Sequence, residues 1–241
     1  MAENKALKEV LNEIVKDVKK ENEQVKSAYE KKQKEWERLE KQHKLNRLKQ
    51  QLANSGLTLE LYQKIKYLKL EKNKYNIKVF KEINNWLKGK RKEKPFLILW
   101  GNYGTGKTTF ALRIGIMKFD KDRQLIFVRK KDFDVKITNF EDINTYEYLK
   151  TLKEIDLLII DDILSGYLSD YRFSQLFDVL DYRYMLGKET IITANEDLLN
   201  FNLKGNSDWA RLQDRLYEVG YFVEFNMMSY RRMKHQITSN K

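Results

Sequence analysis

The sequence predicts an α/β fold, a central parallel sheet flanked by helices and preceded by an N-terminal helical extension. Three observations predict it. Five short apolar runs, Phe96–Trp100, Leu125–Arg129, Leu157–Ile160, Thr190–Thr193 and Tyr221–Phe225, alternate with stretches long enough for crossover helices, as parallel strands covered on both faces require. A glycine-rich turn of the form G-x-x-x-x-G-K-[ST] lies between the first run and a helical stretch, Thr109–Lys118. Residues 1–53 contain neither glycine nor proline, so nothing in them interrupts a helix.

The extension comes first. Leu7, Leu11, Ile14, Val18 and Val25 recur at a 3-4 spacing among lysines and glutamates, which describes an amphipathic helix with a narrow apolar seam. After Tyr29 only Trp36, Leu39, Leu45, Leu48 and Leu52 remain apolar. Such a seam is too thin for a domain core and suits a partner surface, either a short coiled coil or a groove on another protein; the second half is equally compatible with a solvated helix packed on its own chain. Asn54-Ser55-Gly56 breaks the helix and sets the expected boundary between residues 1–53 and a second domain, residues 54–241.

From Lys64 to Lys94 the charge becomes one-sided, with twelve lysines or arginines against Glu71, Glu82 and Glu93, and with Tyr62, Tyr67, Tyr75, Phe80 and Trp86 interleaved. The plain reading is an amphipathic helical region with its aromatics inward; its basic outer face would suit phosphates. The single proline, Pro95, closes this region just before the first strand.

Composition sets the remaining bounds. The chain has 241 residues, 41% hydrophobic and 34% charged, with net charge +12. That excess favours polyanionic partners, although a lysine-rich composition alone also produces it. No apolar run approaches the roughly 18 residues of a membrane span. The opening Met1-Ala2-Glu3-Asn4-Lys5 lacks the apolar core of a signal peptide, so a cytosolic protein is expected, without a membrane partner. There is no cysteine, which excludes disulfides and cysteine-ligated zinc.

Chemistry concentrates at the ends of three strands. Gly101-Asn102-Tyr103-Gly104-Thr105-Gly106-Lys107-Thr108, followed by Thr109, is a phosphate-binding loop in its required strand–loop–helix setting. Its glycines let backbone N–H groups curl around phosphate oxygens. Lys107 brings charge to the terminal phosphates of ATP, and the Thr108 hydroxyl is a ligand for Mg²⁺. Leu157-Leu158-Ile159-Ile160-Asp161-Asp162 ends an apolar strand in two carboxylates, some fifty residues after the loop. Asp161 is placed to hold Mg²⁺ and Asp162 to orient or deprotonate an attacking water, although two aspartates after a strand also cap helices. Thr190-Ile191-Ile192-Thr193-Ala194-Asn195 ends a further strand, and Asn195 is either a γ-phosphate sensor or a turn former.

This order, followed by Asp214-Arg215 and Ser229-Tyr230-Arg231, resembles the DnaC/DnaI helicase-loader and IstB transposition-helper family of AAA+ P-loop ATPases, from about Asn54 to Arg232. The resemblance implies that Arg215 is an arginine finger acting on a neighbouring subunit and that Arg231 senses nucleotide in cis, with Arg211 and Arg232 close by. It implies single-stranded DNA contacts at Ser169 and Tyr171; the alternative there is a helix start capped by Ser169. Asp162 stands where many AAA+ proteins carry the longer glutamate, which bears on the hydrolysis rate. Only 46 residues follow Asn195, so no separate lid domain is expected. The implied protein self-associates through its ATPase domain, hydrolyses ATP weakly as a monomer, and uses residues 1–53 to grip a hexameric replicative helicase that it loads on single-stranded DNA. The rivals are a transposition helper acting with a transposase on duplex DNA, a helicase-binding inhibitor with little hydrolysis, and a small-molecule P-loop kinase.

Overall fold

The computed structural model describes residues 31–70, 72–73, 75–121, 123–138, 143–165, 169–202, 206–230 and 232. The seam residues Leu7, Leu11, Ile14, Val18 and Val25 lie outside them. Two compact units meet between Gln51 and Leu52. In the first, residues 31–51 form helix α1, with a Lys44–Glu40 ion pair one turn apart and with Trp36 and Leu39 exposed. No helix among the described residues is long and apolar enough to cross a membrane.

The second unit opens with a helical turn, 52–54, that ends in a glycine stop. The Leu57 N–H donates to Leu52 O and the Gly56 N–H to Ala53 O, the paired bonds of a Schellman motif, with Gly56 at φ +72°. Thr58 then caps α2 (Leu59–Tyr67) by accepting the Leu61 N–H. Next come α3 (Ile77–Lys88), a 3₁₀ turn (Lys90–Lys92) and β1 (Phe96–Gly101). The remaining order is α4 (Lys107–Phe119), β2 (Leu125–Arg129), α5 (Lys130–Lys136), α6 (Ile143–Glu154), β3 (Leu157–Asp161), α7 (Asp170–Met185), β4 (Thr190–Ala194), α8 (Ser207–Val219) and β5 (Gly220–Phe225). No separate helical domain follows β5 among the described residues.

All five strands are parallel and lie in the order β2-β3-β4-β1-β5. The expected strand runs are therefore the strands, within a residue at each end. Leu97, Ile98 and Leu99 of β1 and Leu157, Leu158 and Ile159 of β3 are fully buried, because helices cover both faces. On one face Ile98, Leu158, Ile160 and Ile192 pack with Phe173, Leu176 and Leu180 of α7 and with Trp209, Leu212 and Leu216 of α8. On the other lies α4, so close that a Cβ at Gly115 would meet Ile159 Cδ1 at 2.6 Å.

Two polar devices complete the frame. Arg183, wholly buried at the end of α7, donates to the carbonyls of Leu152, Ile155 and Glu189 and to Thr190 Oγ1, which ties α6, α7 and the start of β4 together. Burial pulls its guanidinium down to about 9, so this group is held by bonds and not by an opposite charge in contact. At the sheet edge, the Phe127 N–H of β2 donates to Ser55 O at 2.8 Å, which covers part of an edge that would otherwise offer its backbone to other chains.

The same closeness makes Gly56 irreplaceable. A Cβ there would lie 2.4 Å from Phe127 O at a φ that side chains avoid, whereas at Gly89 nothing lies within 4 Å and φ, at −161°, is outside the left-handed region. Gly56→Ala is expected to cost roughly 2 to 3 kcal/mol in urea unfolding and Gly89→Ala close to nothing. Equal midpoints for the two variants would contradict this account of the domain's opening turn.

Candidate nucleotide site

The site forms where β1, β4 and β3, three adjacent strands, end on one edge of the sheet. The loop Gly101–Thr108 leaves β1 and turns into the N-terminus of α4, whose unpaired N–H groups and dipole favour anions. Gly106 is the N-cap of α4 at φ +96°, so the turn needs a residue without a side chain. Within the loop, Thr105 is buried and its hydroxyl donates to Asn102 O, while Tyr103 at the tip is 72% exposed. Thr109 is half-buried in the first turn of α4.

Lys107 is buried, and its ammonium donates to Gly101 O at 2.7 Å and Asn102 O at 2.8 Å. Burial pulls its pKa down, against the opposing influence of Asp162 and Asp161. A desolvated cation held only by carbonyl dipoles is a ready partner for a phosphate oxygen.

The two carboxylates after β3 are wired to β4. Asp161 Oδ1 accepts from two hydroxyls, Thr108 Oγ1 and Thr193 Oγ1, each at 2.7 Å. Thr193 in turn accepts the Asp162 N–H at 2.9 Å, and its carbonyl accepts the Ile163 N–H. Asp162 sits at φ +56°, a left-handed conformation that a non-glycine residue keeps only where its surroundings fix it. Its Oδ1 accepts from Asn195 Nδ2 at 2.7 Å, and burial followed by the neighbouring Asp161 pushes its carboxyl above the usual range. The set fits a hard divalent cation: a carboxylate and a hydroxyl converge at the mouth of the phosphate loop, both oxygen donors.

Thr193 is the member that sequence reasoning left without a role. The signal was present: a hydroxyl near the end of a largely apolar strand, two residues before Asn195 and therefore on its side of the sheet. Tyr230 is a second. Its N–H donates to Gly104 O at 3.0 Å, its ring lies against Gly106, and its hydroxyl accepts from Asn76 Nδ2 at 2.7 Å. No local pattern announces a contact between Asn76 and Tyr230, 154 positions apart.

The other named residues are not gathered here. Arg215 of α8 pairs with Asp181 of α7 at 2.6 Å, is 20% exposed, and lies 4.9 Å from the Phe177 ring. Arg211, one turn earlier, is 58% exposed and meets Asp208 at 3.3 Å. Ser169 is the N-cap of α7 and accepts the Arg172 N–H, with Tyr171 half-buried in the first turn. Arg231 lies outside the described residues.

A phosphate loop, a carboxylate–hydroxyl pair and the Asn195 amide at the ends of three strands of one parallel sheet define a P-loop nucleotide-binding protein. The chain belongs to the IstB-like ATP-binding protein family, whose model matches residues 11–239. A putative insertion sequence ATP-binding protein of Sinorhizobium fredii is 28% identical over 139 residues, 56% of this chain and 46% of that protein. The chromosomal replication initiator DnaA of Acholeplasma laidlawii is 28% identical over 152 residues, 60% of this chain and 32% of that protein. The chain thus spans about half or less of these relatives. Among solved structures, the DnaC helicase loader shares the fold at TM-score 0.51 and 23% identity, covering 65% of this chain and 93% of that one. DnaI does so at TM-score 0.54 and 20% identity, covering 68% and 88%. AMPPCP-bound DnaA from Aquifex aeolicus does so at 0.55 and 24%, covering 70% and 53%.

Because the Thr193 hydroxyl serves both the Asp161 carboxylate and the Asp162 backbone, Thr193→Val removes a donor from Asp161 and leaves the Asp162 N–H without its partner. The expected loss is about 1 to 3 kcal/mol in Mg²⁺-dependent affinity for a fluorescent ATP analogue, with Thr193→Ser recovering most of it. Wild-type titration curves for the valine variant would show that the hydroxyl is a bystander.

Proposed function

We propose that this protein is an ATP-driven switch that binds a hexameric replicative helicase through residues 1–53 and helps place it on single-stranded DNA in the cytoplasm. The observation that carries the switch is the chain of bonds Thr108–Asp161–Thr193–Asp162–Asn195. It joins the phosphate loop to two other strands, so whatever sits on the loop is felt at all three. In this reading Gly101–Thr109 and Lys107 hold the phosphates, and Thr108 and Asp161 hold Mg²⁺, which neutralises charge on them. Asp162 accepts a proton from the attacking water, giving ADP and phosphate, while Asn195 keeps its carboxylate aimed. Asp162 is a short arm, and its left-handed backbone supports the role by turning that arm at the strand end. Arg231 senses nucleotide in cis, and Ser169 and Tyr171 touch the single strand.

Arg215 acts in trans: on assembly it exchanges Asp181 for the γ-phosphate of a neighbouring subunit, so a separated monomer hydrolyses slowly. Its cis ion pair supports this by keeping the charge masked until a stronger anion arrives. The domain division proposed is an adaptor of residues 1–53 and an ATPase domain of residues 54–241. The apolar seam of Leu7, Leu11, Ile14, Val18 and Val25 in the sequence supports a protein partner. A small-molecule kinase would instead need an acceptor site and an arginine-rich lid.

The insertion-sequence relative favours one second reading, an ATPase helper that acts with a transposase on duplex DNA. The two are separated by capture of the full chain, in ATP, on the host's helicase hexamer and on a transposase from the same host. Helicase capture that disappears when Leu7, Leu11 and Ile14 are changed together to serine supports the loader; capture on the transposase alone moves the assignment to the helper.

The nucleotide chemistry has its own check. Lys107→Ala is expected to abolish ATP-dependent capture and hydrolysis. Arg215→Ala should leave ATP binding within about two-fold of wild type but reduce hydrolysis of the assembled protein by at least ten-fold, on the order of 1.4 kcal/mol. Loss of nucleotide binding in Arg215→Ala would contradict action in trans.

A further inference from the structure

Residues 64–94 hold nine of the chain's twelve net positive charges, and the structure gives that excess a shape. A groove of about 1040 Å³ runs between α3, α4 and the segment that joins α2 to α3. Its rim carries Lys66, Lys69, Lys72, Lys81 and Arg113, and no carboxylate lines it among the described residues. Two of these cations are already engaged: Lys66 with Asp120 and Tyr62, and Arg113 with the carbonyls of Ile65 and Lys66. Lys69, Lys72 and Lys81 are exposed and make no ion pair among the described residues; Lys72 lies over the Phe80 ring at 5.6 Å. Lys78 and Lys88 are also exposed on α3, a rise of about 15 Å between them. The groove's apolar surface is open too, with Tyr67 75%, Ile77 55% and Met117 41% exposed.

We propose that this groove is a track for single-stranded nucleic acid, which deepens the DNA partnership proposed above and rests on it. Lys69, Lys72 and Lys81 meet successive phosphates, and bases lie on Tyr67, Ile77 and Phe80. Charge complementarity selects the occupant. Three exposed ammoniums, unpaired among the described residues and set in a segment with twelve cations against three acids, ask for a polyanion, whereas protein interfaces are depleted in lysine and mix both signs at their rims. Apolar and aromatic surface below a row of cations is the combination that receives unstacked bases, and a duplex keeps its bases stacked away from such a floor. The track lies apart from Ser169 and Tyr171, on other elements.

The test compares the full chain, K69Q/K72Q/K81Q and a control of equal charge change on exposed lysines that do not line the groove, K121Q/K136Q/K150Q. Each is titrated with labelled oligothymidylate by anisotropy over a salt series, with binding of an ATP analogue as the check on folding. The groove variant is expected to lose at least ten-fold in affinity. The slope of log K on log salt should fall by about 2, since three phosphate contacts contribute roughly 0.7 each. Y67A should weaken single-strand binding and leave duplex binding unchanged. Equal losses in the groove and control variants would overturn the track in favour of diffuse charge. A loss on duplex as large as on the single strand would overturn the single-strand assignment. Impaired helicase capture with an unchanged salt slope would make the groove a protein surface. Wild type failing to bind either nucleic acid would sink the DNA partnership itself, a result distinct from all of these.

Discussion

Five parallel strands deliver their carboxyl ends to one edge of the sheet, and almost every polar group with chemical potential in this chain is consigned to that edge. The interior of β1, β3 and β4 is apolar apart from Thr190 and Thr193 of β4, and it holds no charge before Asp161 at the end of β3. The transition from buried strand to solvent is therefore where Asp161, Asp162, Asn195 and the phosphate loop must fall. Strand order makes the gathering tighter than sequence order would. Placing β4 between β3 and β1 sets Thr193 within reach of the Asp161 carboxylate and the Asp162 N–H, and Thr108 also meets Asp161. A sheet with β1 beside β3 would leave the asparagine on the wrong side of the loop.

That edge is also electrostatically tense. Burial lowers the Lys107 pKa and raises that of Asp162, so each group would be more comfortable discharged, and each partly relieves the other. A triphosphate with a divalent cation supplies what both lack: anionic oxygens for the ammonium and positive charge beside the carboxylates. The left-handed backbone at Asp162 belongs to the same logic. Three bonds from backbone N–H groups, those of Asp162, Ile163 and Ser165, over-determine the turn and hold the strained conformation.

The sheet and the loop were legible because their signals are local. A run of buried aliphatics ending in two aspartates is a strand end on any reading, and the glycine spacing between Gly101 and Lys107 has few other uses. Ser169 was legible in its plain sense as a helix cap. What stayed hidden depends on distance. The Asn76–Tyr230 bond and the Ser55–Phe127 bond join segments whose proximity only the fold creates, and the Lys69–Lys81 groove needs α4 as its far wall. The role of Thr193 was hidden for a different reason: a threonine in a strand has high β-propensity, so its hydroxyl attracts no notice until its acceptor is located.

The cis partner of Arg215 connects these features to assembly. A guanidinium that is one-fifth exposed, paired with a carboxylate and stacked near Phe177 is stable where it is, and a neighbouring carboxylate would not displace Asp181. A γ-phosphate carries more charge and offers two oxygens to the guanidinium fork where Asp181 is met by Nε alone, so in the proposed assembly it is the anion able to win the exchange. The exchange leaves Asp181 partly buried without its cation, which is costly unless another donor arrives. Arg211, one turn away and already facing the same Phe177 ring, is positioned to supply it. The finger and its understudy would then move together, and nucleotide in one subunit would be felt along α7 of the next, the helix whose first turn holds Ser169 and Tyr171.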